Sequence, residues 1–308
     1  MRILWENFEH ETLDHLRALI RLDTTNPPGN ERIVADYIAR ALSQAGIESV
    51  LIEPAPLRTS LVSRSGGRDS SNGALMLSSH TDVVPVEASR WTRAPFAAEL
   101  ADGCVWGRGA IDMKSKCAMD LMLVLALKRT GAVGNRDLIL AAVADEEAGS
   151  ELGARHLVEH HPDLVNAGFV LNETGAFTLF IGERRFYPIQ VAEKGFVTVK
   201  MTVTGSPGHG SMPRPDTAIA WMADLVTRLT RTPMRRRVTP LIRTTLSELG
   251  IIPEKAPPLF RPMMSNTVCP TIVRAGYKDN VIPGEATAIL DGRTLPGEDE
   301  KSFLRELR

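Results

Sequence analysis

The amino-acid sequence predicts an α/β protein with a mixed, largely parallel sheet flanked by helices, followed by a second, ferredoxin-like α+β unit. Three observations carry this expectation. Short apolar runs alternate with helical stretches through the earlier part of the chain, an order that favours a sheet at least partly parallel. Beyond Gly195 the texture changes to an alternating strand, a helix, two more strands and the start of another helix. Finally, 308 residues exceed what one hydrophobic core usually serves. We therefore place one domain over residues 1–192 and a second, incomplete one over residues 193–308.

In chain order, Phe8, Leu13, Leu16, Leu19, Ile20 and Leu22 recur at helical spacing, and this helix should end before the turn Asn26-Pro27-Pro28-Gly29. A second helix is expected from an N-cap near Asn30, with Ile33, Tyr37, Ile38 and Leu42 on one face and a stop at Gly46. The segment from Arg58 to Asn72, rich in Ser, Arg and Gly, reads as an exposed loop. Strands follow at Leu75 to Leu77 and Leu138 to Val143, with helices at Met113 to Lys128 and Glu151 to Glu159. In the second unit we expect strands over Phe196 to Val203, Thr267 to Arg274 and Ala286 to Arg293, a helix over Asp216 to Thr230, and a helix opening at Glu298.

Composition excludes several classes of function. The chain carries 36 basic and 37 acidic residues, so nothing asks for nucleic acid or an anionic membrane as partner. Its three cysteines, Cys104, Cys117 and Cys269, are widely spaced and read as unpaired thiols of a reducing compartment. The N-terminus lacks the apolar core of a signal peptide and no run approaches membrane-spanning length, so the expectation is a soluble, cytoplasmic protein. No GxSxG elbow is present to support a serine hydrolase.

Chemistry concentrates at strand ends. His80-Thr81-Asp82 follows an apolar strand; a histidine there can offer one ring nitrogen to a metal while a nearby acid orients the ring, or it can be a satisfied histidine at a sheet edge. Asp112, in Gly107-Arg108-Gly109-Ala110-Ile111-Asp112-Met113-Lys114, is either a ligand or the N-cap of the helix it precedes. Asp145-Glu146-Glu147 directly follows Leu138 to Val143, and three crowded acids there suggest a metal beneath them, the alternative being a solvated acidic turn. Glu173 follows Phe169-Val170-Leu171. One imidazole with carboxylates suits a divalent metal of the zinc, manganese or cobalt kind. Two more candidates stand apart: His209 in the glycine-lined loop Gly205 to Ser211, otherwise an incidental histidine of a turn, and Arg293 after an apolar strand, otherwise a surface arginine.

Taken together, these segments resemble the metallopeptidase family of aminoacylase-1, acetylornithine deacetylase, succinyl-diaminopimelate desuccinylase and glutamate carboxypeptidase. The matching stretches are Ser79 to Pro85, Gly107 to Lys114, Asp145-Glu146-Glu147 with Gly149, Gly208 to Ser211, and Asn280-Val281-Ile282-Pro283 leading to Asp291-Gly292-Arg293. The resemblance implies a zinc-peptidase-like catalytic domain and a lid or dimerisation domain. It implies two divalent ions, zinc first with cobalt or manganese as alternatives. His80 and Glu173 would bind one ion, Glu147 the other, and Asp112 both. Asp82 would orient His80, Glu146 would be the general base and acid, and His209 would reach the scissile carbonyl oxygen from a partner subunit, making a homodimer. Asn280 and Arg293 would hold the oxyanion or the substrate's carboxylate.

The expected activity is hydrolysis of an N-acyl amino acid or of the C-terminal residue of a short peptide. The turn Thr24 to Gly29 and the Asp145-Glu146-Glu147 run look closest to aminoacylase-like members. One departure stands out: the family's last metal ligand is a histidine near the C-terminus, and no histidine follows His209. The sequence is then expected to be a truncated record of a longer protein. The competing expectation is a defective member that binds ligand or dimerises without hydrolysis.

Overall fold

The computed structural model describes residues 5–173, 178–187 and 189–308. The chain divides into two compact units, Met1–Pro188 and Ile189–Arg308.

The first unit opens with helices α1 (Glu9–Arg21) and α2 (Arg32–Gln44), then the hairpin β1 (Val50–Ala55) and β2 (Arg58–Ser65). Strand β3 (Leu75–His80), the small ribbon β4 (Glu99–Ala101) and β5 (Cys104–Trp106), helix α3 (Lys114–Thr130) and strand β6 (Leu138–Val143) follow. Helices α4 (Ala154–His160) and α5 (Pro162–Val165), strand β7 (Phe169–Leu171) and the ribbon β8 (Leu179–Ile181) and β9 (Arg184–Phe186) complete it.

Five of these strands form one sheet in the order β1-β2-β6-β3-β7. The β3–β6 and β3–β7 pairings are parallel, whereas β1–β2 and β2–β6 are antiparallel. The sheet is thus mixed in equal parts, and less parallel than the sequence suggests. The difference lies in Arg58–Ser65, which is not an exposed loop but a strand interior to the sheet. Thr59, Ser60 and Ser63 are small enough to be buried and each of these three hydroxyls finds a partner: Thr59 Oγ1 donates to Glu53 at 3.1 Å, Ser63 Oγ to Glu48 O at 2.6 Å, and Ser60 Oγ accepts from Ala144 N at 3.0 Å. Leu61 and Val62 supply the apolar content, one to each face.

Both faces of the sheet are covered. Leu61, Leu77 and Leu140 pack with Leu19, Ile38, Leu42, Leu121 and Leu125 under α1, α2 and α3. Val62, Ile139, Ala141 and Val143 pack with Leu157 of α4 on the other side. Burial on two faces is why β6 reads as an unbroken apolar run. Helix α2 begins at Arg32, with Glu31 and not Asn30 in the cap position; the Glu31 carboxylate makes no cap hydrogen bond and accepts from Arg58.

The second unit comprises β10 (Gly195–Thr204), β11 (Gly208–His209), α6 (Ala218–Arg231), α7 (Pro240–Glu248), β12 (Thr267–Ala275), β13 (Val281–Ile282), β14 (Glu285–Thr294) and α8 (Glu300–Leu307). Its three-stranded sheet runs β10-β14-β12, wholly antiparallel, so the strands joined through α6 flank the later one in a split β-α-β arrangement. Thr217 caps α6 and Asp299 forms a capping box with Ser302 at α8. Helix α7 falls in the proline-punctuated, basic stretch between α6 and β12; Thr239 caps it and Pro240 fills its first turn. All three cysteines are free, and no helix among the described residues is long and apolar enough to cross a membrane.

Candidate metal centre

Parallel pairing is what assembles the site. His80 lies opposite Val143 in the β3–β6 ladder and Leu77 lies opposite Leu171 in the β3–β7 ladder, so all three strands end at the same edge. His80, the turn after β6 and Glu173 therefore converge there, where parallel sheets commonly present ligand sites.

His80 is 4% exposed. Its Nδ1 lies 3.0 Å from the Asp82 carbonyl oxygen, which can only accept, so Nδ1 carries the proton and Nε2 faces the acids. Around Nε2 stand Asp112 Oδ1 at 2.9 Å, Glu173 Oε2 at 3.9 Å and Glu146 Oε2 at 4.0 Å. Asp112 does not cap α3: the flanking residue is Met113, with no side-chain cap, and the Asp112 carboxylate turns to the imidazole. Burial works against a charge on His80, yet Asp82, Glu146 and Asp112 outweigh it and push its pKa up to about 9. The acids show the converse strain. Burial and the Asp112 carboxylate push Glu147 up to about 7, and the same two causes raise Glu173. Crowded carboxylates that resist ionising together around one imidazole are the donor set a divalent cation relieves.

Among the described residues, two groups of side chains could hold such an ion, each with one ligand atom per residue and those atoms within 4.8 Å of one another: His80 with Asp112 and Glu173, and His80 with Glu146 and Glu147. The residue common to both groups is His80, whereas the resemblance gives that place to Asp112. Asp82 orients the ring mainly through its backbone, its carboxylate standing 3.5 Å from Nδ1. The same carboxylate accepts the amides of Glu146 and Glu147, both at 3.1 Å.

Asp145 is a correction to the sequence reading, which set it beside Glu146 and Glu147 over a metal. It is buried and turned away: its Oδ1 accepts from Arg58 at 2.7 Å and from Asn26 at 3.2 Å, and its Oδ2 from Leu152 N at 3.0 Å. The sequence pattern does not mark Arg58, Asn26 or Glu31 as site residues. A turn motif signals Asn26, but its contacts lie 56 and 119 residues away and cannot be read from local pattern.

In the second unit, β11 pairs with β13, which puts His209 opposite Val281, and Gly210 N donates to Asn280 O at 2.9 Å. His209 and Asn280 are thus brought together. Ser211 N donates to His209 Nδ1 at 3.2 Å, so the neutral ring keeps its proton on Nε2, as an exposed donor. Arg293 is elsewhere. It pairs with Phe196 near one end of β14, while Glu285 at the other end adjoins β13, and the eight residue steps from Glu285 to Arg293 span about 26 Å. Its guanidinium grips Asp291 at 2.8 and 2.9 Å and lies 4.7 Å from the Phe196 ring.

Residues 76–282 match the profile of Peptidase family M20/M25/M40. The chain belongs to this family. Aminoacylase-1 of Sus scrofa is 30% identical over 97% of this chain and 69% of that protein, and the probable carboxypeptidase S-like 2 of Dictyostelium discoideum is 29% identical over 80% of this chain and 52% of that one. Among solved structures, the M20 family metallo-carboxypeptidase Sso-CP2 from Sulfolobus solfataricus shares the fold, with a TM-score of 0.72 at 20% identity over 96% of this chain and 74% of that one. As an M20/M25/M40 member the chain is a metal-dependent hydrolase of amide or peptide bonds.

Proposed function

We propose that the chain hydrolyses an N-acyl amino acid, or releases the C-terminal residue of a short peptide, using two divalent ions, zinc first and cobalt or manganese as alternatives. The observation that carries this reading is the convergence of His80, Asp112, Glu146, Glu147 and Glu173 on one edge of the sheet, with Glu146 4.0 Å from the imidazole. His80 and Glu173 would hold one ion, Glu147 the other, and Asp112 both. Bound there, the ions supply Lewis acidity, polarising the scissile carbonyl and making water a stronger acid.

Glu146, left free of the ions, takes the proton of the attacking water and returns it to the leaving amine as the amide C–N bond breaks. Asp82 keeps His80 in the tautomer that presents Nε2. Nε2–H of His209 donates to the carbonyl oxygen as negative charge develops on it, with Asn280 beside it. Arg293 exchanges Asp291 for the substrate's carboxylate, a bidentate fit its fork already makes to one acid. We assign residues 1–192 as the catalytic domain and residues 193–308 as the lid and dimerisation domain. The placement of His209 and Arg293 toward opposite ends of β14 supports a homodimer in which the two serve one substrate from different copies.

Elemental analysis of metal per chain, run beside release of free amino acid from N-acetyl amino acids and dipeptides, tests the reading. Two ions with release are expected. A chain that binds no divalent ion, or one that releases nothing from either panel, would overturn it.

A further inference from the structure

We infer that Arg58, working with Asn26 and Glu31, is a positioning residue for the turn that carries Glu146 and Glu147, and that the segment Thr24–Gly29 is shaped to admit its guanidinium. The inference rests on the metal-centre reading above.

Arg58 opens β2 and its side chain is 11% exposed. Nε and Nη2 grip the two oxygens of Glu31, each at 2.8 Å; Nη2 also reaches Asp145 Oδ1 at 2.7 Å, and Nη1 donates to Pro28 O at 3.1 Å. Glu31, fully buried at its side chain, accepts the Asp145 amide as well, at 3.1 Å. Asp145 is thereby held at its amide and at both carboxylate oxygens, in a left-handed conformation (φ 66°) that a non-glycine residue keeps only when its surroundings demand it. The next two amides, of Glu146 and Glu147, are taken by Asp82. Asn26 joins the two grips, donating to Asp82 Oδ2 at 2.8 Å and to Asp145 Oδ1 at 3.2 Å.

Three buried carboxylates, Glu31, Asp82 and Asp145, thus surround the turn, and the cation that answers two of them directly is Arg58. A lysine would offer one point charge in place of the fork that meets Glu31 and Asp145 together. The segment before α2 is built around this side chain. Asn26 N donates to Val83 O at 2.8 Å and Val83 N to Thr24 O at 3.2 Å, fixing the segment against the strand that leads from His80. At Gly29, with φ +84°, a Cβ would stand 2.4 Å from Arg58 Cζ, so a residue with a side chain would displace the guanidinium.

The consequence is that Arg58 acts on the ions through Glu146 and Glu147 without touching them. Co²⁺ titration of the full chain, followed by visible absorbance well below the melting temperature, with thermal unfolding recorded alongside, tests this. Arg58→Met, Asn26→Ala and Gly29→Ala should each weaken Co²⁺ binding, by about 10–100-fold for Arg58→Met, with Arg58→Lys recovering part of the loss. Folded variants that bind Co²⁺ as the wild type does, even with lowered melting temperatures, would reduce Arg58 to a structural role and overturn the inference alone. A wild-type chain that takes up no Co²⁺ would overturn the metal-centre reading and this inference with it. Should Arg58→Met fail to fold, Gly29→Ala decides the question, because its Cβ displaces the guanidinium while every charge of the cluster stays in place, and wild-type Co²⁺ binding by that variant would overturn the inference.

Discussion

Glu146 and Glu147 are consecutive residues whose backbone amides share one acceptor, Asp82, yet their surroundings differ. Burial and the Asp112 carboxylate push the Glu147 pKa up to about 7, so this carboxylate gains from a neighbouring cation. Glu146 is 47% exposed at its side chain, with room to meet water. Replacing each with glutamine should therefore have separable effects. Glu146→Gln keeps its metal and loses turnover by about 10²–10⁴-fold, the usual worth of a general base. Glu147→Gln loses metal first, with turnover falling as a consequence. Metal content and single-substrate kinetics on both variants check this, and a Glu146→Gln protein that turns over normally would remove that residue from the mechanism.

At the scale of elements, one helix is tied down by polar groups and another by a buried ring. On α3, Lys116 Nζ reaches Ser78 O at 3.0 Å and Asp120 Oδ2 at 2.5 Å, tying the helix to β3. Burial dominates Asp120 and, despite Lys116, pushes its pKa up to about 6. With a folded pKa above the unfolded value of about 3.9, the folded state binds more protons between these limits. Stability is thus greatest below that window, falls as pH rises through it, and stays lowered above about 6. Asp120→Asn removes the titration, so urea unfolding should show the variant gaining on the wild type by up to about 3 kcal/mol between pH 4 and pH 7. A constant difference across that range would refute it. On α8, Phe303 is fully buried and its ring lies where a Cβ on Gly292 would stand, 2.5 Å from Cζ. Phe303→Ala should cost about 3–5 kcal/mol in chemical unfolding. Apolar periodicity makes such elements legible: α1, α3, β6, β10, β12 and β14 all lie within a few residues of where their patterns place them. β2 was hidden because buried hydroxyls look polar in sequence while their hydrogen bonds make them cheap to bury. Strand ends also locate His80, Glu146, Glu147 and Glu173. The Arg58–Glu31–Asp145 cluster stays hidden because an acid beside two other acids carries no sign of which way its side chain turns.

For the whole molecule, the two units give metal binding a thermodynamic signature. Every residue of the two candidate ligand groups lies between His80 and Glu173, inside the unit Met1–Pro188, and none lies in Ile189–Arg308. An ion that binds the folded first unit and not its unfolded form stabilises that unit by RT ln(1 + [L]/Kd), about 2.7 kcal/mol at one hundred times Kd. The second unit has its own core, Met222, Ala286, Ala288 and Leu290 with Val199 and Val203 around them, and holds no member of either group. Calorimetric scans with zinc and with a chelator should then show one transition moving upward with metal while the other stays in place. Isotope-exchange protection should rise with zinc over β3, β6 and β7 and remain unchanged over β10, β12 and β14. Equal shifts in both units would mean that the ion draws ligands from residues 189–308, and a shift confined to the second unit would remove His80 and its carboxylates from the metal centre altogether.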